Sequence, residues 1–484
     1  MRRLLAVMLI AALAIVPAAC GQEPEGALKV IVIGAAPKVR DPSLGPLSAP
    51  DAVLLANTAQ GLVSFDAGGN IVAGLAERWN VSDDGLSYIF RLQSGTWSDG
   101  RKITAEQVAR ILKREIGPRS SNSLKDRFGA VEDIVAMTDR VIEISLVSPR
   151  PDLLALLAQP EMAILRNGAG SGPFRAASKG DETRLEREIE SSDDEAATRQ
   201  QLLLGAAPAP DAVRAFAIGQ ADLLLGGTYL DLPYARRVKL PRDALRFDPA
   251  SGLFGLLPAS AGGPFDKPQA RQLLSQALDR DAYVAALGVP GLAGRATLLE
   301  PGLDGLPPPV TPAWLATAFG DRLPALQAQA ARLFGNDRRA IRVALPDGPG
   351  SDLILQLLRR SWGALGFTVE RVNRAAGADF VLIDEVAPSS SPSWFVRRLR
   401  CAVVPVCDSQ ADALMDAARQ SPVPAQRYAL LGQAAARIDD AQLFIPITAP
   451  VRWSLVSARI QNFAGNRYAR HTLTDLEVRP SNGD

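Results

Sequence analysis

Residues 61–111 read GLVSFDAGGNIVAGLAERWNVSDDGLSYIFRLQSGTWSDGRKITAEQVARI. The stretch is a run of short strands and turns that ends in a capped helix. Asp66-Ala67-Gly68-Gly69-Asn70 is a turn cluster. Arg78–Val81 and Leu86–Leu92 are short apolar-rich runs, and Ser82-Asp83-Asp84-Gly85 between them is a hairpin signal. Asp99-Gly100 marks another turn. Thr104 followed three residues later by Gln107 is a capping-box pattern. Behind it, Val108, Ile111 and Leu112 fall on one helical face.

The order of these pieces resembles a signature of the large extracytoplasmic solute-binding proteins of peptide/nickel ABC transporters, family 5. The residues that carry it are Gly61, Leu62, Gly74, Leu75, Ala76, Glu77, Trp79, Asp84, Gly85, Tyr88, Phe90, Leu92, Trp97, Ser98, Asp99, Gly100, Thr104, Ala105, Glu106 and Val108. A second match is Gly263-Pro264-Phe265-Asp266 followed by Arg271–Asp281, RQLLSQALDRD. There Asp266 is expected to cap a helix starting near Lys267, with Pro268 in its first turn. Asp279 and Arg280 are expected to form a turn and cap pair. Gly170-Ser171-Gly172-Pro173-Phe174 is similar to the family's GTGPY element, where glycines let backbone pass close to the hinge or ligand.

Outward from this core, the N-terminus has targeting character. Arg2 and Arg3 precede an apolar run, Leu4–Val16, too short to span a bilayer comfortably. The run ends Val16-Pro17-Ala18-Ala19-Cys20, which resembles a lipobox with Cys20 as the lipidated residue. Pro17 departs from that pattern, and ordinary cleavage near the same point is the competing reading. Without Arg2 and Arg3 the chain carries 51 basic and 52 acidic residues, which gives no electrostatic footprint for nucleic acid. Beyond Cys20 the cysteines are Cys401 and Cys407, six apart in a loop-like stretch. They read as a small disulfide in an oxidising compartment or as two separate thiols.

Ala27–Gly34 is a buried-type strand and Ala52–Ala59 a helix. Val131–Met137 and Val141–Val147 form a second hairpin, and Pro151 opens a short helix. Ala212–Ile218 is read as a helix leading to a strand at Asp222–Leu225. Downstream, Ile341–Leu345, Ser351–Leu365, Phe367–Val372 and Asp379–Ile383 alternate strand and helix, an α/β signal. Two helical segments follow, near Ala411–Ala418 and Ala425–Ile438, and then a strand at Phe444–Ile447.

Catalysis is poorly provided for. His471 is the single histidine and reads as a surface residue, so a histidine-rich metal site is impossible. No P-loop, GxGxxG or HExxH occurs. No cofactor and no metal are expected. The resemblance implies a two-lobed α/β fold of the periplasmic-binding-protein type (type II, Venus-flytrap) with an extra subdomain inserted in the first lobe. The expected divisions are a lipoprotein-type signal at 1–20, lobe I at 27–45, 162–258 and 451–484, the insert at 46–161, and lobe II at 262–450. The implied function is a non-enzymatic, monomeric receptor. It takes a peptide or other small organic solute between its lobes and hands it to an ABC permease in the inner membrane. The alternative is a stand-alone lipoprotein of this fold acting as sensor, chaperone or scaffold. Either protein would sit in the periplasm, held at a membrane by lipid on Cys20.

The ligand site is expected after the strand Asp379–Ile383. Peptide-binding relatives carry an aspartate there that holds the α-ammonium, but Pro388 and Ser389 occupy its place here. Asp384 or Glu385 either substitutes for it or merely ends the strand, and without a substitute the ligand is expected to be less cationic at that end. Arg397 and Arg398 close by suit an acidic or amide-rich solute or are surface arginines. Trp394 and Phe395 keep the aromatic outline, with Trp394 read as a stacking wall or as core. Gly170, Gly172 and Pro173 are the expected hinge or cleft backbone.

Overall fold

The computed structural model describes residues 27–97, 99–179, 182–189, 198–335 and 338–478. The expected signal segment with Cys20, the end of lobe I at 479–484 and the polar run at 190–197 lie outside them. Three sheets organise the chain. The first has seven strands in the order Leu245–Phe247, Arg452–Val456, Leu223–Thr228, Leu28–Ile33, Thr198–Ala207, Glu182–Ile189 and Arg175–Lys179. Leu28–Ile33 runs parallel to both of its neighbours, and the other pairs are antiparallel. Both faces of this LKVIVI strand are covered: Leu28, Val30 and Val32 enter one core cluster, and Ile31 and Ile33 pack on another. A central parallel strand needs such a near-continuous apolar run.

The second sheet has five strands in the order Val369–Val372, Ile341–Ala344, Phe380–Val386, Gly252–Pro258 and Ile445–Thr448. The third is a four-stranded antiparallel sheet: Ala76–Val81, Ser87–Leu92, Val141–Leu146 and Val131–Thr138. Helix Ala105–Ile116 packs on its apolar face. Thr104 caps that helix, its hydroxyl accepting from the Gln107 amide at 3.4 Å. The box is half made, because Gln107 Oε1 instead accepts the Trp97 indole N–H at 2.7 Å. Trp97 is thereby buried and tied to the helix start.

The chain passes between the first and second sheets twice, from Phe247 to Gly252 and from Thr448 to Arg452. Two short crossings make a hinge. Their position moves the expected boundary at 258. Gly252–Pro258 is a fully buried strand laddered between Phe380–Val386 and Ile445–Thr448, so it belongs to the second sheet. The expected start of the insert at 46 also moves. Helix Ala49–Thr58 packs on Leu28–Ile33 through Leu54 and Val53, whereas the core of the third sheet begins at Leu62 and runs to Ile164.

One expected cap differs and another holds. The helix Pro268–Gln276 has Lys267 at its N-cap with no side-chain bond. Asp266 closes a preceding 3-10 turn, and its carboxylate accepts from the Gly262 amide at 2.5 Å. Asp279 does cap the next helix, Arg280–Leu287, through the Ala282 amide at 3.1 Å. Arg280 is not a surface cap partner. It is buried, donating to the carbonyls of Pro446 and Ser275 and to Ser275 Oγ.

Candidate ligand-binding cleft

The loop that follows Phe380–Val386 faces the inserted unit. Ser389 is buried, and its hydroxyl donates to Asp152 Oδ2 at 3.0 Å. Ser390 Oγ donates to Asp304 Oδ2 at 2.7 Å. The carbonyl of Pro388 accepts from Gln159 Nε2 at 2.9 Å. Gln159 Oε1 accepts in turn from Arg470 Nε, and Arg470 also pairs with Glu161 at 2.7 Å. Residues far apart in sequence thus meet across the gap between the second sheet's body and the insert.

Each serine engages one oxygen of its aspartate. The Oδ1 of Asp152 and of Asp304 has no protein partner among the described residues. Tyr428 and Tyr468 lie within reach of both carboxylates. Burial first, and the Asp304 and Asp152 charges next, push the Tyr428 phenol up. Burial also pushes Tyr468 up, with Arg467 pulling the other way and both aspartates adding to the rise. Tyr428 lines the small recess that also holds Asp152 and Asp304, whereas the Tyr468 ring stacks on Phe65 with centroids 4.7 Å apart.

The expected site residues fall differently. Asp384 is clamped by Arg452, whose Nη1 donates to Oδ1 at 2.8 Å and Oδ2 at 3.0 Å. Burial pushes the Asp384 carboxyl up, and Arg452 pulls it back. Glu385 is engaged by Arg398. Asp384 thus has both carboxylate oxygens bonded, whereas Glu385 Oε2 has no partner among the described residues. Trp394 and Phe395 pack edge to face inside the second body's core, with Leu399, Val404 and Met415 in the same cluster. They form core, not cleft wall. Of the expected residues after Asp379–Ile383, Ser389 touches the opposite side.

Gly170, Gly172 and Pro173 are remote in sequence from both crossings. Gly172 donates to the Thr58 carbonyl at 3.0 Å, and Phe174 to that of Asn57 at 3.0 Å. A Cβ on Gly170 would sit 2.3 Å from Ala59 Cβ, and one on Gly172 2.3 Å from the Thr58 carbonyl carbon. Here the glycines serve close packing of backbone against a helix end. A cavity of about 280 Å³ adjoins this strut, floored by Ala49, Ala52, Ala56 and Ala59 and rimmed by Gln159 and Arg470. His471 also lines it, and is not a surface residue. Its side chain is only 8% exposed, 3.3 Å from Asp248 and stacked on Phe463. Cys401 and Cys407 are joined in a disulfide. Among the described residues no group of acidic, Cys and His side chains could hold a metal ion.

The family model for bacterial extracellular solute-binding proteins, family 5 (middle), matches residues 70–380. The chain belongs to that family.

Similar proteins match over lengths that range from about a fifth to most of the chain. A probable di/tripeptide-binding protein 5 of Pseudomonas aeruginosa is 25% identical, covering 86% of this chain and 89% of its own. The probable deoxycholate-binding periplasmic protein YgiS of Escherichia coli is 30% identical over 21% of this chain and 23% of its own. In fold, the chain is similar to Haemophilus influenzae OppA, crystallised with the peptide RPPGFSPFR. The TM-score is 0.78 at 16% identity, covering 94% of this chain and 99% of that one. Two lobes with mixed α/β sheets are the fold of these family 5 structures. The family consists of binding proteins.

Asp152, Asp304, Gln159, Tyr428, Tyr468 and Arg452 escaped the sequence reading. Asp152 was legible only as the residue after Pro151 at a helix start, and Asp304 stands in a Gly/Pro-rich run.

Proposed function

We propose that this family 5 protein is the substrate-binding component of an ABC importer, with a small peptide bearing a free amino end as its ligand. Asp152 and Asp304 carry the reading. They flank the Ser389-Ser390 loop, where relatives place an ammonium-binding aspartate, and each presents an unbonded oxygen. A buried ammonium without a carboxylate would cost several kcal/mol, so a carboxylate in the cleft is what such a ligand requires. Two carboxylates reached from two different segments give a bidentate seat for one ammonium.

The names of the relatives support a peptide, since di/tripeptide binders match over most of the chain. Capture closes the lobes about the two crossings, and the closed form delivers the solute to an inner-membrane permease. The protein works as a monomer in the periplasm, held at the membrane by lipid on Cys20. Mass spectrometry of small molecules released on denaturing the purified protein tests the ligand class, and calorimetry with free and N-acetylated di- and tripeptides tests the amino end. Release of peptides and tighter binding of the free-amine forms is expected. Equal binding of both forms removes the ammonium reading. No binding of any peptide favours a role other than peptide import.

A further inference from the structure

Five arginines line one recess between the insert and the second body: Arg150 from the insert, and Arg397, Arg400, Arg419 and Arg427 from the body opposite. Arg400 pairs with Asp416 at 2.9 Å, and Arg419 with the same carboxylate at 3.6 Å. The other three form no ion pair among the described residues. Arg397 reaches only the Asp126 carbonyl at 3.3 Å. Arg427 is buried and donates to the carbonyls of Pro149 and Ser421. Arg150 Nε is buried without a hydrogen-bond partner.

These guanidinium groups feel one another. Burial first, then Arg150 and Arg400, push Arg397 down. Burial, then Arg150, does the same to Arg427. Arg127 of the insert, pushed down to about 10, is affected chiefly by burial and then by Arg397 and Arg398. Desolvated like charges raise the energy of the charged form unless an opposite charge arrives. The carboxylates within electrostatic reach are Asp126, set against Arg127 and Arg397, Glu385, set against Arg127, Asp152, set against Arg427, and Asp412 and Asp416, set against Arg400. Asp152 already takes the Ser389 hydroxyl.

We propose that this recess is an anion subsite that takes one oxyanion group, a carboxylate or a phosphate, between Arg150, Arg397 and Arg427. About 30 Å³ of space is free there, room for such a group but not for a whole peptide. Guanidinium forks match carboxylate and phosphate geometry. The donors come from both sides of the gap, so the bound group ties the insert to the second body and favours closure. The recess shares Arg150, Ser393, Arg427 and Leu431 with the small cavity that also contains Asp152 and Asp304. An anion here therefore sits next to the carboxylate seat.

The test uses N-blocked probes, which keep it independent of the ammonium reading. Calorimetry at low ionic strength compares inorganic phosphate, citrate, N-acetylated triglutamate and N-acetylated trialanine amide, which carries no carboxylate, on the full chain, with sodium chloride of matched ionic strength as the control. Saturable binding of an oxyanion probe but not of the trialanine amide is expected, at least tenfold weaker in both Arg397→Gln and Arg150→Gln. A response to phosphate alone identifies a free phosphate site, and a response to the carboxylates identifies an acidic solute. No saturable binding beyond the sodium chloride effect overturns the proposal. So does binding unchanged in both variants, each shown folded by near-UV circular dichroism.

Discussion

Arg452, at the start of a strand in the first sheet, holds Asp384 of the second sheet through both carboxylate oxygens, at 2.8 and 3.0 Å. The pair stands beside one of the two chain crossings, each side chain only 16% exposed. It therefore clasps the two sheets at the hinge. Breaking a buried pair is costly because the remaining charge has no water.

Arg452→Met should expose that cost. Removing one partner of a buried pair typically destabilises by about 3–5 kcal/mol. Burial already pushes Asp384 up, and Arg452 is what restrains it. A folded-state pKa above the unfolded one means that the neutral acid is favoured, so the penalty is absent in acid and grows as pH rises through the folded pKa. Urea unfolding at pH 4 and pH 8 should show a small defect at the first and the full defect at the second. An equal defect at both would mean that Asp384 is not the group left stranded.

Gly350 marks where the two bodies touch on the other side of the hinge. Its amide donates to the Leu230 carbonyl at 3.0 Å, and a Cβ there would lie 2.2 Å from the Tyr229 carbonyl oxygen. Backbone cannot yield to that as a flexible side chain could. Gly350→Ala should therefore hold the lobes apart, weakening ligand affinity about tenfold or more, which is roughly 1.4 kcal/mol. Small-angle scattering with saturating ligand should give a larger radius of gyration than the parent. A parent-like radius and affinity would show that the contact is not needed for closure.

The individual elements were legible because their signals are local, and the two-lobed architecture came from the family resemblance they carry. The hairpin at Ser82–Gly85, the Thr104 cap and the apolar LKVIVI strand depend on neighbours a few residues away. The cleft was not, because its chemistry depends on residues that meet only in the fold. Asp384 reads as a free strand-end acid until Arg452, 68 residues on, arrives to occupy it. One oxygen of Glu385 is engaged by Arg398, 13 residues on. Asp152 becomes a site residue only because Ser389, 237 positions away, lands on it. Trp394 had the composition of a stacking wall, yet its helix faces the second body's core. His471 looked exposed among polar neighbours, but Phe463 and Asp248 cover it.

Asp152→Asn and Asp304→Asn test the carboxylate seat separately. Asparagine still accepts from Ser389 or Ser390, so the loop contact survives while the charge is lost. Hydrogen bonds to a charged group are worth roughly 1.5–3 kcal/mol, which corresponds to a loss of about 10- to 100-fold in affinity. Free-amine peptides should lose that much in each variant, and N-acetylated peptides should lose little. Calorimetry reads both. Equal losses for the two peptide forms would place the amino end elsewhere.

Glu115 gives a prediction that needs no ligand. Its side chain is fully buried within the insert, and burial pushes the carboxyl up to about 7. Arg114 at 3.1 Å and Asn122 at 3.2 Å pull against that, and Asp41 adds to it. An unfolded glutamate titrates near 4.3, so the folded state holds the extra proton between about pH 4 and pH 7. Stability falls with pH wherever the folded state binds more protons. The loss from this one residue is on the order of 3 kcal/mol at pH 8 and vanishes near pH 4. Glu115→Gln removes the titration while keeping an oxygen for Asn122. Relative to the parent, the variant should gain stability between pH 4.5 and pH 8 in urea unfolding. If the stability difference between the two proteins is the same at both pH values, Glu115 is ionised in the folded chain throughout.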